Sequence, residues 1–279
     1  SDNIRKVKLS RARSHIERAF NKKRPVFIWG PPGVGKSDVL QQIADDNNGL
    51  LIDLRMPLLD PTDLKGYPYR DEETNDMKWA TPAELPSKEL ADKYETVYLF
   101  LDEMNAAPPS VQASAYQLVL NRRVGNYILP DNVVIAAAGN RDTDKGVTYR
   151  MPSPLANRFL HLEIEVNHED WQTWAIANDI IPDVIGYLAF AKQDLFDFDP
   201  KSSSRSFATP RTWAFVSSML EDSDMNHDEE MDIVTGLVGE GMAIKFMNHK
   251  KNASKLPEPS QILSGKVKKL KDIEISSKY

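Results

Sequence analysis

The spacing of apolar positions changes several times along the chain, and each change predicts an element. After Ala12, the residues Ile16, Ala19 and Phe20 recur at helical spacing, so residues 3–20 predict a helix with one narrow apolar stripe that packs on the body. Residues 25–29 form a short apolar run that ends at Gly30. A Gly/Pro-rich stretch then leads into Val39, Leu40, Ile43 and Ala44 at a 3.6-residue period, which reads as strand, loop and helix. Asn47, Asn48 and Gly49 stop that helix, and residues 50–54 predict the next buried strand. Between Arg55 and Glu95 the periodicity is weak and prolines recur, which predicts an elaborated loop with a small hairpin turning at 71–76. Residues 96–101 and 133–138 are continuous apolar runs, each predicting a buried strand. Val111, Ala115, Leu118 and Val119 trace a helical face between them, and Gly125-Asn126 marks a tight hairpin turn.

Residues 159–166 differ from these runs. Leu160, Leu162, Ile164 and Val166 alternate strictly with Phe159, His161, Glu163 and Glu165, which predicts a strand with one wetter face, such as a sheet edge. Beyond Asn167 the strand signals disappear, and residues 169–178, 182–193, 210–220 and 229–248 predict helices. Strands alternating with helices imply an α/β domain with a parallel, doubly wound sheet whose ligands sit beyond the carboxyl ends of the strands. The expected organisation is an N-terminal helix over 1–24, an α/β domain over 25–166, an all-helical domain over 167–250 and a tail over 251–279. That tail lacks a clear domain stop, as expected of a fragment of a longer chain.

Composition narrows the function classes. With 279 residues, 41% of them hydrophobic and 9% aromatic, the chain can fill a core, so disorder is not its main state. The longest apolar run, 133–138, is far short of the ~20 residues that cross a bilayer. The first 24 residues show no secretory signal, so no membrane partner and a cytoplasmic location are expected. A cysteine count of 0 removes disulfides, thiolate nucleophiles and Cys-ligated zinc, and the five histidines show no metal-ligand spacing. A net charge of −6 argues against a wholesale nucleic-acid coat. The first 24 residues, however, carry nine Lys and Arg against Asp2 and Glu17, while 221–232 is acidic, so local patches stay open.

Gly30, Pro31, Pro32, Gly33, Val34, Gly35, Lys36 and Ser37 fit the pattern GxxxxGK[ST] between a strand and a helix. Glycines let such a loop wrap a phosphate with its backbone N–H groups, and the helix N-terminus adds its positive end. Lys36 reaches the β and γ phosphates, and the Ser37 hydroxyl can ligate Mg2+. The strand over 96–101 delivers Asp102 and Glu103 at its carboxyl end, the first suited to the Mg2+ shell and the second to polarising an attacking water as general base. Asn140 follows the strand over 133–138, where its amide can hold that water beside the γ phosphate. Nucleotide binding is therefore assigned to the eight loop residues and to Asp38 after them, and metal ligation to Ser37 and Asp102. ATP and Mg2+ are the expected cofactors, and nucleoside triphosphate hydrolysis is the leading chemistry.

Together with Asn157, Arg158 and Phe159 ahead of a strand, these motifs resemble the AAA+ ATPases. Within that superfamily, residues 102–109 (Asp-Glu-Met-Asn-Ala-Ala-Pro-Pro) and 146–154 resemble the MoxR group, related to the dynein-like branch. The resemblance covers roughly 25–220. It implies a P-loop AAA+ core with a parallel five-stranded sheet, a C-terminal all-helical lid and a homo-oligomeric ring, six subunits in the usual form, with nucleotide between neighbours. It also implies that Arg158 is an arginine finger acting on the next subunit's site, with Arg150 and Arg141 as rivals, and that Arg211 is the lid's sensor arginine. By the same resemblance, hairpins near 67–79 and 123–130 contact substrates, with Tyr67, Tyr69, Trp79 and Tyr127 either there or in packing roles. The function implied is remodelling or maturation of a protein client, often one with a von Willebrand factor A domain. A nucleic-acid-directed motor or restriction-type NTPase is the alternative, motivated by the basic N-terminal segment. A small-molecule kinase shares the loop but leaves Asn140, Arg158 and Arg211 unexplained.

Overall fold

The computed structural model describes residues 4–140, 148–199 and 201–253. The chain divides into two compact units, Ser1–Glu165 and Val166–Tyr279. In the first unit the order is β1 (Lys6–Lys8), α1 (Leu9–Asn21), β2 (Val26–Trp29), α2 (Lys36–Asp46), β3 (Leu50–Arg55), α3 (Pro61–Lys65), β4 (Tyr67–Arg70), β5 (Met77–Ala80), α4 (Lys88–Ala91) and β6 (Val97–Asp102). It continues with α5 (Pro109–Asn121), β7 (Arg123–Val124), β8 (Tyr127–Ile128), β9 (Val133–Gly139), α6 (Ser153–Ala156) and β10 (Leu160–Glu165).

One parallel sheet takes six of these strands in the order β1-β10-β2-β9-β6-β3. The five-stranded expectation is thus corrected to six. The extra strand is β1, part of the span read as a single helix over 3–20. Only Val7 of its three residues is buried, too little pattern to announce a strand. Two strands also exchange the positions that their patterns suggest. β10, read as an edge, lies between β1 and β2, whereas β3, read as buried, is the far edge with one buried residue, Leu54.

One sheet face places Phe27, Leu99, Leu101, Ile135 and Ala137 against Val111, Ala115 and Leu118 of α5. Each fully buried aliphatic side chain there contributes about 1.5–3 kcal/mol relative to exposure. α1 buries Ala12, Ile16, Ala19 and Phe20, and the Phe20 ring meets Tyr98 of β6 at 5.5 Å. The two predicted hairpins are present, as β4 with β5 and β7 with β8.

The second unit is helical, with α7 (His168–Ala177), α8 (Pro182–Phe190), α9 (Pro210–Leu220), α10 (His227–Val238) and α11 (Glu240–Ala253). Tyr187, Trp213 and Phe246 form its centre, with ring centroids 5.5–5.7 Å apart. The single helix expected over 229–248 is two helices. They break at Gly239, whose φ of 90° ends α10 in a backbone state that a side chain rarely adopts. Among the described residues no helix is long and apolar enough to cross a membrane.

Candidate nucleotide site

β2 lies inside the sheet with β9 on one side and β10 on the other, and the chain leaves its carboxyl end through Gly30. Parallel sheets of this kind present their ligand crevice at such a point. Gly33 and Gly35 have φ of 78° and 95°, which lets the loop curl back and start α2 at Lys36. The N-cap of α2 is Gly35, which supplies no side-chain acceptor to the first-turn amides, so the positive end of the helix is left for a ligand.

Lys36 Nζ donates to Gly30 O at 2.7 Å and lies 3.4 Å from both Gly139 O and Asn140 Oδ1. The loop after β2 and the end of β9 therefore meet on one ammonium. These three acceptors position the lysine at the mouth of the loop. Ser37 follows it, half-buried, and Asp38 is exposed in the first turn of α2.

Asp102 ends β6, the neighbour of β9, and pairs in register with Arg55 of β3. Its Oδ1 accepts from the Glu103 N–H at 2.8 Å. Glu103 has φ of 54°, a left-handed conformation that costs of order 1 kcal/mol in a non-glycine residue and often accompanies functional positions. Asp53, on the same face of β3, has its carboxyl pushed above the usual carboxylate range, by desolvation first and by repulsion from Asp102 second.

Asn105 belongs to the site although sequence reasoning gave it no role. It is 3% exposed, and its Nδ2 donates to Asn140 O at 2.9 Å, tying the turn after β6 to the end of β9. Its own carbonyl accepts from Tyr149 N at 2.6 Å. A Cβ on Gly139 would stand 2.5 Å from Asn105 Oδ1, so Gly139 is glycine because Asn105 occupies that space. The only available signal was its place in the 102–109 stretch, and local pattern does not assign a partner to an asparagine.

The structure brings Gly30, Lys36 and Asn140 together and sets Asp102 and Glu103 at the end of the next strand. Arg158 is elsewhere. It precedes β10, whose Leu160 pairs with Val26 at the start of β2, so Arg158 stands at the amino ends of the strands. Four residues of β2, about 13 Å at ~3.3 Å each, separate that level from the loop. Arg150 is exposed beside Tyr116 and Tyr149, Arg141 lies outside the described residues, and Arg211 stands exposed in the first turn of α9 in the second unit. Tyr67, Tyr69, Met77 and Trp79 are exposed on the β4–β5 hairpin, whereas Tyr127 is a packing residue, buried with its hydroxyl donating to Pro86 O at 2.6 Å.

No protein-family model matches the chain. Midasin of Giardia intestinalis is 27% identical over 191 residues, covering 64% of this chain and 4% of midasin, so the chain spans a small part of that relative's length. Among solved structures it is similar to NtrX of Brucella abortus in complex with ADP, at 15% identity over 95% of this chain and 58% of that one, with a TM-score of 0.48. An ATPase candidate of Cytophaga hutchinsonii gives 13% identity over 93% and 88% of the two chains, with a TM-score of 0.46. A RuvB variant of Thermotoga maritima gives 16% identity over 91% and 76%, with a TM-score of 0.41.

Proposed function

We propose that this chain is the ATPase part of a ring-forming AAA+ protein of the MoxR-like kind, which hydrolyses Mg-ATP in the cytoplasm to remodel or mature a protein client. The observation that carries this reading is the bridge from Lys36 to both Gly30 and Asn140 at the carboxyl ends of β2 and β9. The similarity to midasin supports the class. A ring of six copies and a client with a von Willebrand factor A domain belong to the proposal. The exposed aromatics of the β4–β5 hairpin support contact with a client.

The residues present fit a magnesium–nucleotide: an uncapped helix N-terminus, a lysine positioned by neutral oxygens, a hydroxyl at Ser37, and a carboxylate at Asp102 with one oxygen already oriented. Ser37 and Asp102 would hold the metal, which when bound neutralises charge on the β and γ phosphates. Lys36 balances the remaining phosphate charge. Glu103 takes the proton from the attacking water, and Asn140, steered by Asn105, fixes where that water sits. Arg158 acts on a neighbouring copy's nucleotide, and Arg211 serves as the sensor arginine of the helical unit.

Nucleotide binding and turnover, measured separately, test this reading. Lys36→Ala is expected to lose ATP binding, whereas Glu103→Gln binds ATP and does not turn it over. Unchanged affinity in the first variant, or wild-type turnover in the second, would refute the assignment.

A further inference from the structure

In the helical unit, residues of α7, α8 and α9 border an open groove of about 560 Å³. Its floor is apolar, with Ile180, Ile181, Ile185 and Leu220, and Ile176, which also lines it, is 63% exposed. Its acids are Asp179, Asp183, Glu221 and Asp222, and no Lys or Arg lines it.

Three of these acids stand where the backbone already concentrates negative charge. Asp179 follows the C-cap of α7, Glu221 and Asp222 follow the last residue of α9, and neither helix has a basic residue in its last turn. The carbonyl end of a helix carries about half a negative charge, so it repels a carboxylate and attracts a cation. Asp183 is different, because it lies in the first turn of α8, where its own helix favours it. Among the described residues none of the four acids forms an ion pair, and no three His, Asp or Glu side chains group to hold a metal ion. The groove therefore suits an extended cation with an apolar side rather than a point charge.

The chain carries such a segment outside the described residues. Leu263, Val267 and Leu270 recur at the spacing of one helical face, Lys266, Lys268, Lys269 and Lys271 accompany them, and 259–271 contains no acid. Its reach also fits. α11 ends at Ala253, and its His249 and Asn252 line a cavity with Tyr187 and Phe190, so the chain leaves the described residues beside the carboxyl end of α8. The groove lies at the amino end of that same helix, nine residues or about 14 Å away at ~1.5 Å each. The twelve residues 254–265 can span up to about 40 Å. The other basic stretch, in the first 24 residues, is folded into β1 and α1 of the first unit, where Arg13 pairs with Glu17 and Asp46.

We propose that this groove is the docking site of the chain's own residues 263–271. Leu263, Val267 and Leu270 cover the isoleucines, and the lysines meet the carboxylates and the carbonyl ends of α7 and α9. The acidic stretch that begins at Glu221 and the basic run at 266–271 are thus two halves of one contact.

The chain has no cysteine, so thiol chemistry reports only on cysteines placed in it. The test treats the full chain carrying Ile176→Cys and Leu270→Cys with a short bismaleimide. Ile244→Cys, at an exposed position of α11, replaces Ile176→Cys to give the background. The expected product is a link between 176 and 270 within one chain, found by mass spectrometry at several times the background. Neutralising the groove with Asp179→Asn, Glu221→Gln and Asp222→Asn is expected to lower the yield by about fivefold, the scale of three exposed ion pairs. Adding about 0.5 M NaCl acts in the same direction. Exchanging the signs, with Asp179→Lys and Asp222→Lys against Lys266→Glu and Lys269→Glu, restores the yield. A yield at background overturns the proposal and leaves the groove to a basic peptide of another protein. A yield that neither the neutral set nor salt lowers overturns it as well. A link that joins two chains overturns it in favour of a second copy's segment.

Discussion

At the carboxyl ends of the strands a single ammonium, Lys36, sits within 3.4 Å of Gly30 O, Gly139 O and Asn140 Oδ1. At the amino ends five cations line one cleft, and the Arg122 guanidinium is tied down by hydrogen bonds to Pro130 O and Val133 O. The first end is built from backbone: two glycines at positive φ, a helix start and carbonyl oxygens that fix one side chain. The second is built from side chains delivered by three turns. A backbone-built loop is specified by one short stretch, although its lysine reaches partners on the neighbouring strand. A side-chain-built cluster depends on the whole sheet being in register.

Exchanging the roles of the two ends gives the largest effect. Arg158→Ala is expected to lower turnover by about 10³- to 10⁵-fold with ATP affinity unchanged. Equal loss of affinity and turnover would place Arg158 at its own copy's site and break the contrast. Next is the strut between the ends. Trp29 Nε1 donates to His161 Nδ1 at 2.9 Å, which leaves the ring proton on Nε2 to reach Ala156 O at 2.5 Å, in the turn that leads to Arg158. His161→Ala removes both bonds and a ring stacked with Phe27 and Trp29, and should cost about 2–4 kcal/mol in denaturant unfolding. A loss under ~0.5 kcal/mol would mean that the strut carries nothing.

Asn105→Ala should reduce turnover by about tenfold, a loss of ~1.4 kcal/mol in the barrier, with little change in KM, because it releases the Asn140 backbone without touching the loop. A change confined to KM would contradict a positioning role. The smallest effect concerns Asp53, whose raised pKa means that its ionisation opposes folding. That penalty is absent below the unfolded value of about 3.9 and complete above the folded one, so stability falls as pH rises through this window. Asp53→Asn should therefore raise Tm by about a degree at pH 7, the scale of a surface substitution, and leave it unchanged at pH 3. A rise of the same size at both pH values would separate it from charge.

Much of the fold was legible because the signals are local. Continuous apolar runs gave β6 and β9, helical periods gave α2 and α5, and turn residues gave both hairpins. The order of strands was not, and β10 and β3 show why. Alternation along β10 records that one face meets water, which a strand covered by the three-residue β1 satisfies as well as an edge does. The apolar run of β3 records affinity for a core, which an edge strand with one buried residue can also carry. Within the site, the loop residues, Asp102, Glu103 and Asn140 were readable by type and spacing, whereas the tie from Asn105 to Asn140 spans 35 residues and has no period.

The sequence by itself determined the local chemistry: the glycines that permit the loop, the lysine and serine that follow it, and the acids that end a buried strand. Each of these depends on backbone torsions and neighbours within a few positions, so a short stretch is enough to specify it. Only the tertiary structure decided which strand lies beside which, that Asn105 forces glycine at 139, and that residues 22–24, 122 and 158 converge on one cleft. Those outcomes follow from long-range strand pairing, in which the register of one sheet fixes where distant turns emerge, and no local preference encodes that register.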